Sequence, residues 1–172
     1  MSFMKGNENA IINSNGKNVN IWDKRKLEKV MTSFKSSSVS RFITSHKENK
    51  IVVCSDEGQV ELFDDSGKIL NSFQPHGNFS VTSLVPLEKE NFFVSSSTDS
   101  TLKLSKFNEE SGFSKVLHTF KSHSLPVFGV KINSGFGDNR LLSFGKENSC
   151  KTWKFTSHLK ETPLHEFLLD DL

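Results

Sequence analysis

The chain has few of the features that mark several large classes of protein. Its two cysteines, Cys54 and Cys150, lie in apolar, strand-like runs, which favours reduced buried thiols over the disulfide framework of a secreted scaffold. No apolar run approaches the ~20 residues that a membrane helix needs. The opening residues, MSFMKGNENA, lack the apolar core of a secretory signal. We therefore expect an intracellular protein that has no membrane contact.

The charge is nearly balanced, with 22 Lys and Arg against 20 Asp and Glu, for a net charge of +2. This balance does not favour a dedicated nucleic-acid binder, which concentrates basic charge on one face. The densest basic cluster contains Lys24, Arg25, Lys26 and Lys29. With Asp23 it is a candidate contact for a partner protein or for ribonucleoprotein RNA, and the alternative is an ordinary solvated hairpin.

Motifs of catalysis and metal binding are missing from the sequence. No Ser stands in a Gly-x-Ser-x-Gly elbow, and the Gly-Lys pair at Gly145 lacks a Gly-rich phosphate loop. His118 and His123 are spaced as metal ligands only on a helix, whereas we expect a strand end and a loop there. We therefore expect a non-catalytic protein with no cofactor, metal or small-molecule substrate.

An internal repeat is the strongest signal. Four segments alternate apolar and polar residues, and the same place in each is taken by Trp22, Phe63, Ser105 and Trp153. Their spacings of 41, 42 and 48 residues fit the ~40–45 residues of a propeller blade with four short antiparallel strands, the last being lengthened by the Gly-rich connection at 134–138. In the third segment we predict strands over 81–87, 91–98, 101–107 and 115–120. The repeat also predicts a strand for the most helix-like stretch, DKRKLEKVM.

The repeat resembles the WD40 family over roughly residues 10–156. Trp22-Asp23 is the WD dipeptide, and degenerate copies are Leu62-Phe63-Asp64 and Thr152-Trp153-Lys154. The place of the family's Gly-His pair is taken by Pro75-His76-Gly77 and Lys121-Ser122-His123. The run SSSTDSTLKL matches the Ser-x-Asp-x-Thr pattern that precedes the third strand.

The resemblance implies an all-β fold, a WD40-type β-propeller segment of about four four-stranded blades. The blades would cover residues 10–34, 39–73, 80–120 and 127–169, with the first blade lacking its inner strand. Residues 1–9 would be an N-terminal extension, and residues 157–172 the last outer strand or a C-terminal tail. This blade number fits part of a larger propeller, a truncated chain or a four-bladed ring, and we favour the first.

The family builds a buried network of His, Ser or Thr, Asp and Trp in each blade. The matching residues here are His76, Ser97 and Asp99 in the third blade, where Ser105 replaces the Trp, and His123, Glu147 and Trp153 in the fourth, where Gly145 replaces the Ser. The second blade offers Glu57, Phe63 and Asp64, and the first offers Trp22 and Asp23. No blade is complete, so we expect weaker networks than a full set would form.

Function in this architecture comes from surfaces, and we expect a scaffold that assembles other proteins of a multisubunit complex. The run KIVVCSD followed by GQVELFDDSGKILNSFQPH is similar to a blade of nucleolar WD-repeat subunits of the small-subunit processome, which associate with small nucleolar RNPs. That likeness implies pre-rRNA processing, small ribosomal subunit biogenesis and a nucleolar or nuclear address. The alternative is a substrate receptor of a cullin–RING ubiquitin ligase, because Trp22-Asp23-Lys24-Arg25 matches the Trp-Asp-x-Arg pattern whose Asp and Arg face the adaptor.

Overall fold

The fold is all-β, as predicted from the repeat. The structure, a computed structural model, describes residues 1–4, 6–46, 49–87, 92–107, 114–121, 123–133, 140–154 and 163–168 of the 172. These residues form four antiparallel sheets of four strands each, and within every sheet the strands follow the order of the chain.

The four sheets are consecutive along the sequence. The first sheet contains β1 (Ser2–Phe3), β2 (Ala10–Asn15), β3 (Asn18–Asp23) and β4 (Lys26–Lys35). The second contains β5 (Ser40–His46), β6 (Lys50–Ser55), β7 (Val60–Phe63) and β8 (Ile69–Phe73). The third contains β9 (Val81–Pro86), β10 (Phe92–Ser97), β11 (Leu102–Phe107) and β12 (Ser114–Phe120). The fourth contains β13 (Val127–Asn133), β14 (Arg140–Gly145), β15 (Ser149–Lys154) and β16 (Pro163–Leu168).

The first sheet has an inner strand that the sequence did not predict. β1 has two residues, and they pair with Ile11 and Ile12 of β2. The inner strands β5, β9 and β13 have six or seven residues. The prediction that the first sheet lacks an inner strand was therefore wrong, because two residues are too few to display a strand's alternation.

Two stretches of ambiguous pattern are strands. The run DKRKLEKVM ends inside β4, which pairs with β3 along its length. The apolar run near the C-terminus forms β16, which pairs with β15. In both places pairing with a neighbouring strand decides the conformation, and the local propensity does not.

Each pair of consecutive sheets encloses its own apolar core. Between the first and second sheets lie Ile12, Ile21, Ile51 and Phe63, with others. Between the second and third lie Val52, Leu62, Phe93 and Phe107, with others. Between the third and fourth lie Val94, Leu104, Leu141 and Trp153, with others. A sheet between two neighbours is buried on both faces, which is why β6 and β10 read as continuous apolar or small-residue runs.

A Phe near the end of the fourth strand joins each sheet to the next. It packs on an aromatic side chain of the following sheet's third strand. The ring centroids lie 4.8 Å apart for Phe34 and Phe63, 5.5 Å for Phe73 and Phe107, and 5.4 Å for Phe120 and Trp153.

The inner strands also connect one sheet to the next. The hydroxyl of Thr82 in β9 donates to the carbonyl oxygen of Val127 in β13 at 2.7 Å. Among the described residues, extensive contacts between sheets join only the first to the second, the second to the third and the third to the fourth. Within the described ranges, the first and fourth sheets therefore each have one face on which no other sheet packs extensively.

Candidate functional site

The third sheet contains a hydrogen-bonded His network. Nδ1 of His76 donates to the Asp99 carboxylate at 2.8 Å, and Nε2 of His76 lies 2.8 Å from Oγ of Ser95. The hydroxyl of Thr101 donates to the other carboxylate oxygen of Asp99 at 2.7 Å. The His76 side chain has no exposure to solvent, so the network ties the connection before β9 to the sheet.

The fourth sheet repeats the network and adds a Trp. Nδ1 of His123 donates to the Glu147 carboxylate, and its Nε2 lies 2.8 Å from Oγ of Ser143. The indole N–H of Trp153 donates to the same Ser143 oxygen at 3.1 Å. Because that oxygen accepts from Trp153, its own proton is available to His123, and all the donors run in one direction from the indole to the carboxylate.

The two acids occupy a repeated turn whose backbone geometry is shared. Asp99 and Glu147 are each followed by a left-handed residue, Ser100 with a φ of 68° and Asn148 with a φ of 58°. In the second sheet Gly58, with a φ of 80°, takes this place. A left-handed residue closes the turn at a cost that Gly avoids and Asn tolerates.

The pKa values of both acids are held below their ordinary values. Burial opposes the charged form of Asp99, but hydrogen bonds from His76 and Thr101 outweigh it and lower the pKa. Burial likewise opposes ionisation of Glu147, and its own backbone N–H with His123 and Ser149 lowers its pKa. Both networks are therefore built around ionised carboxylates.

The serine of each network differs from the one the resemblance implied. Ser95 contacts His76, whereas Ser97 accepts from the backbone N–H of Asp99 at 3.2 Å. In the fourth sheet Ser143 takes the serine role, and Gly145 is not its substitute. Ser95 and Ser97 lie on the same face of β10, so alternation alone did not separate them.

A regular offset could have identified both serines. Ser95 and Ser143 each precede their acid, Asp99 or Glu147, by the same interval in the sequence. Ser143 also pairs with Lys151, as Ser95 pairs with Lys103, so the two serines hold one register in their sheets.

Gly145 gives the Glu147 carboxylate its space. A Cβ at position 145 would overlap both Glu147 Oε2 and His123 Nδ1. The equivalent residue in the third sheet is Ser97, where the acid is the shorter Asp99. A longer acid is thus matched by a smaller neighbour.

The described side chains of the second sheet form no His network. Glu57 is exposed, so the prediction that it joins a network was wrong. The buried acid is Glu61, which accepts from the Ser36 hydroxyl at 2.6 Å and from the Ser37 backbone N–H at 3.2 Å. Val53 stands at the register position of Ser95 and offers no hydroxyl. Glu61 therefore holds the connection before β5 in place of a His.

The first sheet keeps only the Trp contact. The indole N–H of Trp22 donates to the side-chain oxygen of Asn13 at 3.0 Å, in the register of Trp153 and Ser143. The hairpin between β2 and β3 has two residues, Gly16 and Lys17, which leaves no position for the acid.

Phe63 and Asp64 are adjacent in the sequence, but Phe63 belongs to the core and Asp64 to the hairpin that follows β7. Phe63 is fully buried between the first and second sheets. Asp64 accepts hydrogen bonds from the backbone N–H groups of Ser66 at 3.0 Å and Lys68 at 2.9 Å, which order the hairpin. The hydrogen bond from the Ser66 hydroxyl, followed by those from the backbone, lowers the pKa of Asp64. Gly67 in this hairpin lies against the Phe34 ring, where a Cβ would approach to 2.6 Å.

The basic cluster lies on the exposed hairpin between β3 and β4. Arg25 is bound to Asp23 through its backbone N–H at 2.9 Å and its guanidinium at 2.7 Å. These hydrogen bonds from Arg25 lower the pKa of Asp23 to about 2. Lys24, Lys26 and Lys29 are exposed. The hairpin thus presents four cations, one of them fixed in orientation by Asp23.

Three exposed apolar side chains lie in the connections that precede the inner strands, Phe79 and Leu125 at the same register position and Val39 one position later. Val39, Phe79 and Leu125 are 47%, 56% and 43% exposed, and each lies within two residues of its inner strand. We call these three residues the rim. Phe79 and Leu125 follow His76 and His123 closely, so the buried His side chains anchor the connections that carry them.

The remaining His and Cys residues that the structure describes lie in the sheets or in the networks. His118 packs edge-on against Phe120 in β12, while His123 lies in the network, and the described residues contain no cluster of three metal-binding side chains. Cys54 and Cys150 are buried and free, and burial raises the pKa of both thiols. The part of the chain that the structure describes has no helix long and apolar enough to cross a membrane.

Comparison with known families gives a match over one part of the chain. Residues 67–104 match the family model described as WD domain, G-beta repeat. This segment is similar to a single WD40 repeat. The matched segment contains His76, Ser95, Asp99 and Thr101, which form the network of the third sheet.

Among curated proteins the chain is similar to Protein ROOT INITIATION DEFECTIVE 3 of Arabidopsis thaliana. The two are 22% identical over 163 residues, which cover 90% of this chain. The chain spans 36% of the length of that protein.

Proposed function

We propose that this protein is a non-catalytic scaffold that holds other proteins through the rim. WD40 repeats generally serve as interaction platforms, and fold alone leaves the choice of surface open. The observation that carries the proposal is the recurrence of exposed apolar side chains at Val39, Phe79 and Leu125. A protein-binding surface is typically an exposed apolar patch, and these three side chains would supply its apolar part.

The buried networks support this role because they order the rim. The backbone N–H of Phe79 donates to the carbonyl oxygen of His76 at 3.3 Å, and the His76 ring is anchored to Asp99. A partner that packs on Phe79 therefore meets a preordered loop and does not have to fix it on binding.

For the cellular role we propose nucleolar pre-rRNA processing and small ribosomal subunit biogenesis. The support is the likeness of residues 50–76 to a blade of nucleolar WD-repeat subunits. The exposed cations Lys24, Arg25, Lys26 and Lys29 add a surface that suits RNA phosphates in a ribonucleoprotein.

The second candidate is the substrate receptor of a cullin–RING ubiquitin ligase. The observation that favours it is the Asp23–Arg25 pair, in which the Arg25 side chain is 65% exposed yet held by Asp23. A guanidinium held in one orientation is suited to bind a carboxylate or carbonyl of an adaptor.

The scaffold proposal is tested by affinity purification of the tagged chain from its own cells, with protein and RNA read out together. We expect Phe79→Asp to reduce partner recovery about tenfold, because a charge replaces an apolar contact at the centre of the rim. Ile69→Asp is the matched control, since Ile69 is similarly exposed but lies in β8. Equal recovery with both variants would contradict the rim as the binding surface.

The same purification separates the two cellular roles. Recovery of small nucleolar RNA with processome proteins supports ribosome assembly, and Lys26→Glu should then weaken the RNA signal. Recovery of a cullin adaptor that is lost with Arg25→Ala, but kept with Lys29→Ala, supports the ligase receptor. Recovery of chaperones alone would contradict a scaffold that functions by itself.

A further inference from the structure

One face of the first sheet is not packed on another sheet within the described residues. The equivalent face of each of the other three sheets is buried against the preceding sheet. In each sheet one residue of the second strand and one of the third form a pair directed at the preceding sheet. These pairs are Ile51 with Phe63, Phe93 with Ser105, and Leu141 with Trp153, all at most 6% exposed. The equivalent residues of the first sheet are Ile11 and Trp22, which pair with each other and are half-buried. Phe3 extends this row and is 69% exposed.

The fourth sheet has the complementary uncovered face. The pairs directed at the following sheet are Ile12 with Ile21, Val52 with Leu62, and Val94 with Leu104, all at most 3% exposed. In the fourth sheet Leu142 holds the position of Val94 and is half-buried. Phe144 is half-buried beside it, and Phe128, at the register position of Thr82, is 59% exposed. We call Phe3, Ile11 and Trp22 the leading face, and Phe128, Leu142 and Phe144 the trailing face.

We propose that a second copy of this chain covers both faces. All three interfaces within the chain pack the trailing face of one sheet on the leading face of the next. The two uncovered faces are therefore complementary to each other, and neither is complementary to itself. A second copy would place its leading face on the first copy's trailing face and its trailing face on the first copy's leading face.

The sheet number and the register agree with a closed pair. Two copies contribute eight sheets, and propellers close with about four to eight blades. The two contacts are related by a two-fold axis, so a head-to-tail interface closes on itself and does not extend into a fibre. Register places Phe167 opposite Cys150, as Phe120 lies opposite Leu102. In the closed pair Trp22 of one copy would take the place beside the other copy's fourth sheet that Trp153 takes beside the third sheet.

The experiment measures the molar mass of the 172-residue chain in solution by light scattering coupled to size-exclusion chromatography, at micromolar concentration. The expected mass is twice that of the 19.4 kDa chain. Phe3→Asp on the leading face and Leu142→Asp on the trailing face should each yield the monomer. Phe79→Asp is the matched control, because its exposed Phe lies on the rim, and it should remain a dimer.

Mixing the two monomeric variants tests the head-to-tail arrangement. The Phe3→Asp copy keeps its trailing face and the Leu142→Asp copy keeps its leading face, so an equimolar mixture should form a heterodimer through one intact interface. Thermal unfolding of each variant establishes that it is folded, and Phe128→Asp replaces Leu142→Asp if the latter is not. A monomeric unmutated chain, an open fibre, or a dimer broken by only one of the two faces would each overturn the proposal.

Discussion

The network of the fourth sheet combines a long acid with a small neighbouring residue, and that of the third sheet combines a shorter acid with a larger neighbour. This match in size can be tested by substituting the residues of one network into the other. In the fourth sheet Gly145 leaves room for the Glu147 carboxylate, because a Cβ at position 145 would overlap Glu147 Oε2 and His123 Nδ1. In the third sheet the same two positions are occupied by Ser97 and Asp99. The perturbation is therefore Gly145→Ser, Glu147→Asp and the double variant, which copies the third sheet into the fourth.

The expected energies come from the contacts. Gly145→Ser alone should cost about 2–3 kcal/mol, since overpacking a buried site costs roughly 1–3 kcal/mol and the His123–Glu147 hydrogen bond is displaced. Glu147→Asp alone should cost about 1–2 kcal/mol, because the shorter side chain withdraws from His123. In the double variant the serine fills the space that the shorter acid vacates. We expect a coupling of about 1–2 kcal/mol in favour of the double variant.

The assay is urea unfolding followed by Trp fluorescence in a Trp22→Phe background. Trp153 is then the sole Trp of the chain, and its indole donates to Ser143 within the network. Ser97→Gly is the control, because it leaves the acid unchanged; it should cost about 1–2 kcal/mol through the flexibility of glycine and the lost hydrogen bond from the Asp99 N–H. A double variant whose cost equals the sum of the single costs within about 0.5 kcal/mol would refute the compensation.

Three further predictions concern single residues of the sheets. Phe63→Ala should destabilise the chain by about 3–5 kcal/mol in urea unfolding, because Phe63 is fully buried against Phe34, and a loss below about 1 kcal/mol would contradict its position between two sheets. Ser105→Ala should be neutral or stabilising by up to about 1 kcal/mol, because the buried Ser105 hydroxyl has no hydrogen-bond partner within the described residues, and a clear loss of stability would reveal one. The folded state lowers the pKa of Asp99, so its contribution is present above the ordinary value of 3.8 and is lost as the pH falls through the lower folded pKa. Unfolding of Asp99→Asn between about pH 2 and 5 should therefore depend less on pH than that of the unmutated chain, and equal slopes would remove Asp99 from the network.

Most of the sheet structure could be predicted from the repeat. The third sheet was predicted over 81–87, 91–98, 101–107 and 115–120, and its strands are Val81–Pro86, Phe92–Ser97, Leu102–Phe107 and Ser114–Phe120. The pattern was readable because each strand is short, bounded by turn residues and buried on at least one face. β1 was not predicted, because two residues are too few to show an alternating pattern and only their pairing with β2 makes them a strand.

The candidate site was predictable only in part. The structure joins His76 to Asp99 and His123 to Glu147, residues that the WD40 resemblance implied. It uses Ser95 where Ser97 was expected, and the two differ only in height along one face of β10. The choice depends on where the connection before β9 crosses the sheet, which is a relation between distant parts of the chain.

The sequence by itself determined the strand pattern, the repeat length and the acid-bearing turns, because alternation and turn chemistry act over a few residues. The tertiary structure alone decided which side chains meet across the connections. Glu57 and Glu61 both lie in the second repeat, yet only Glu61 is turned toward Ser36 and buried. Burial of a charged group requires a matching donor nearby, and that donor comes from a connection 25 residues away.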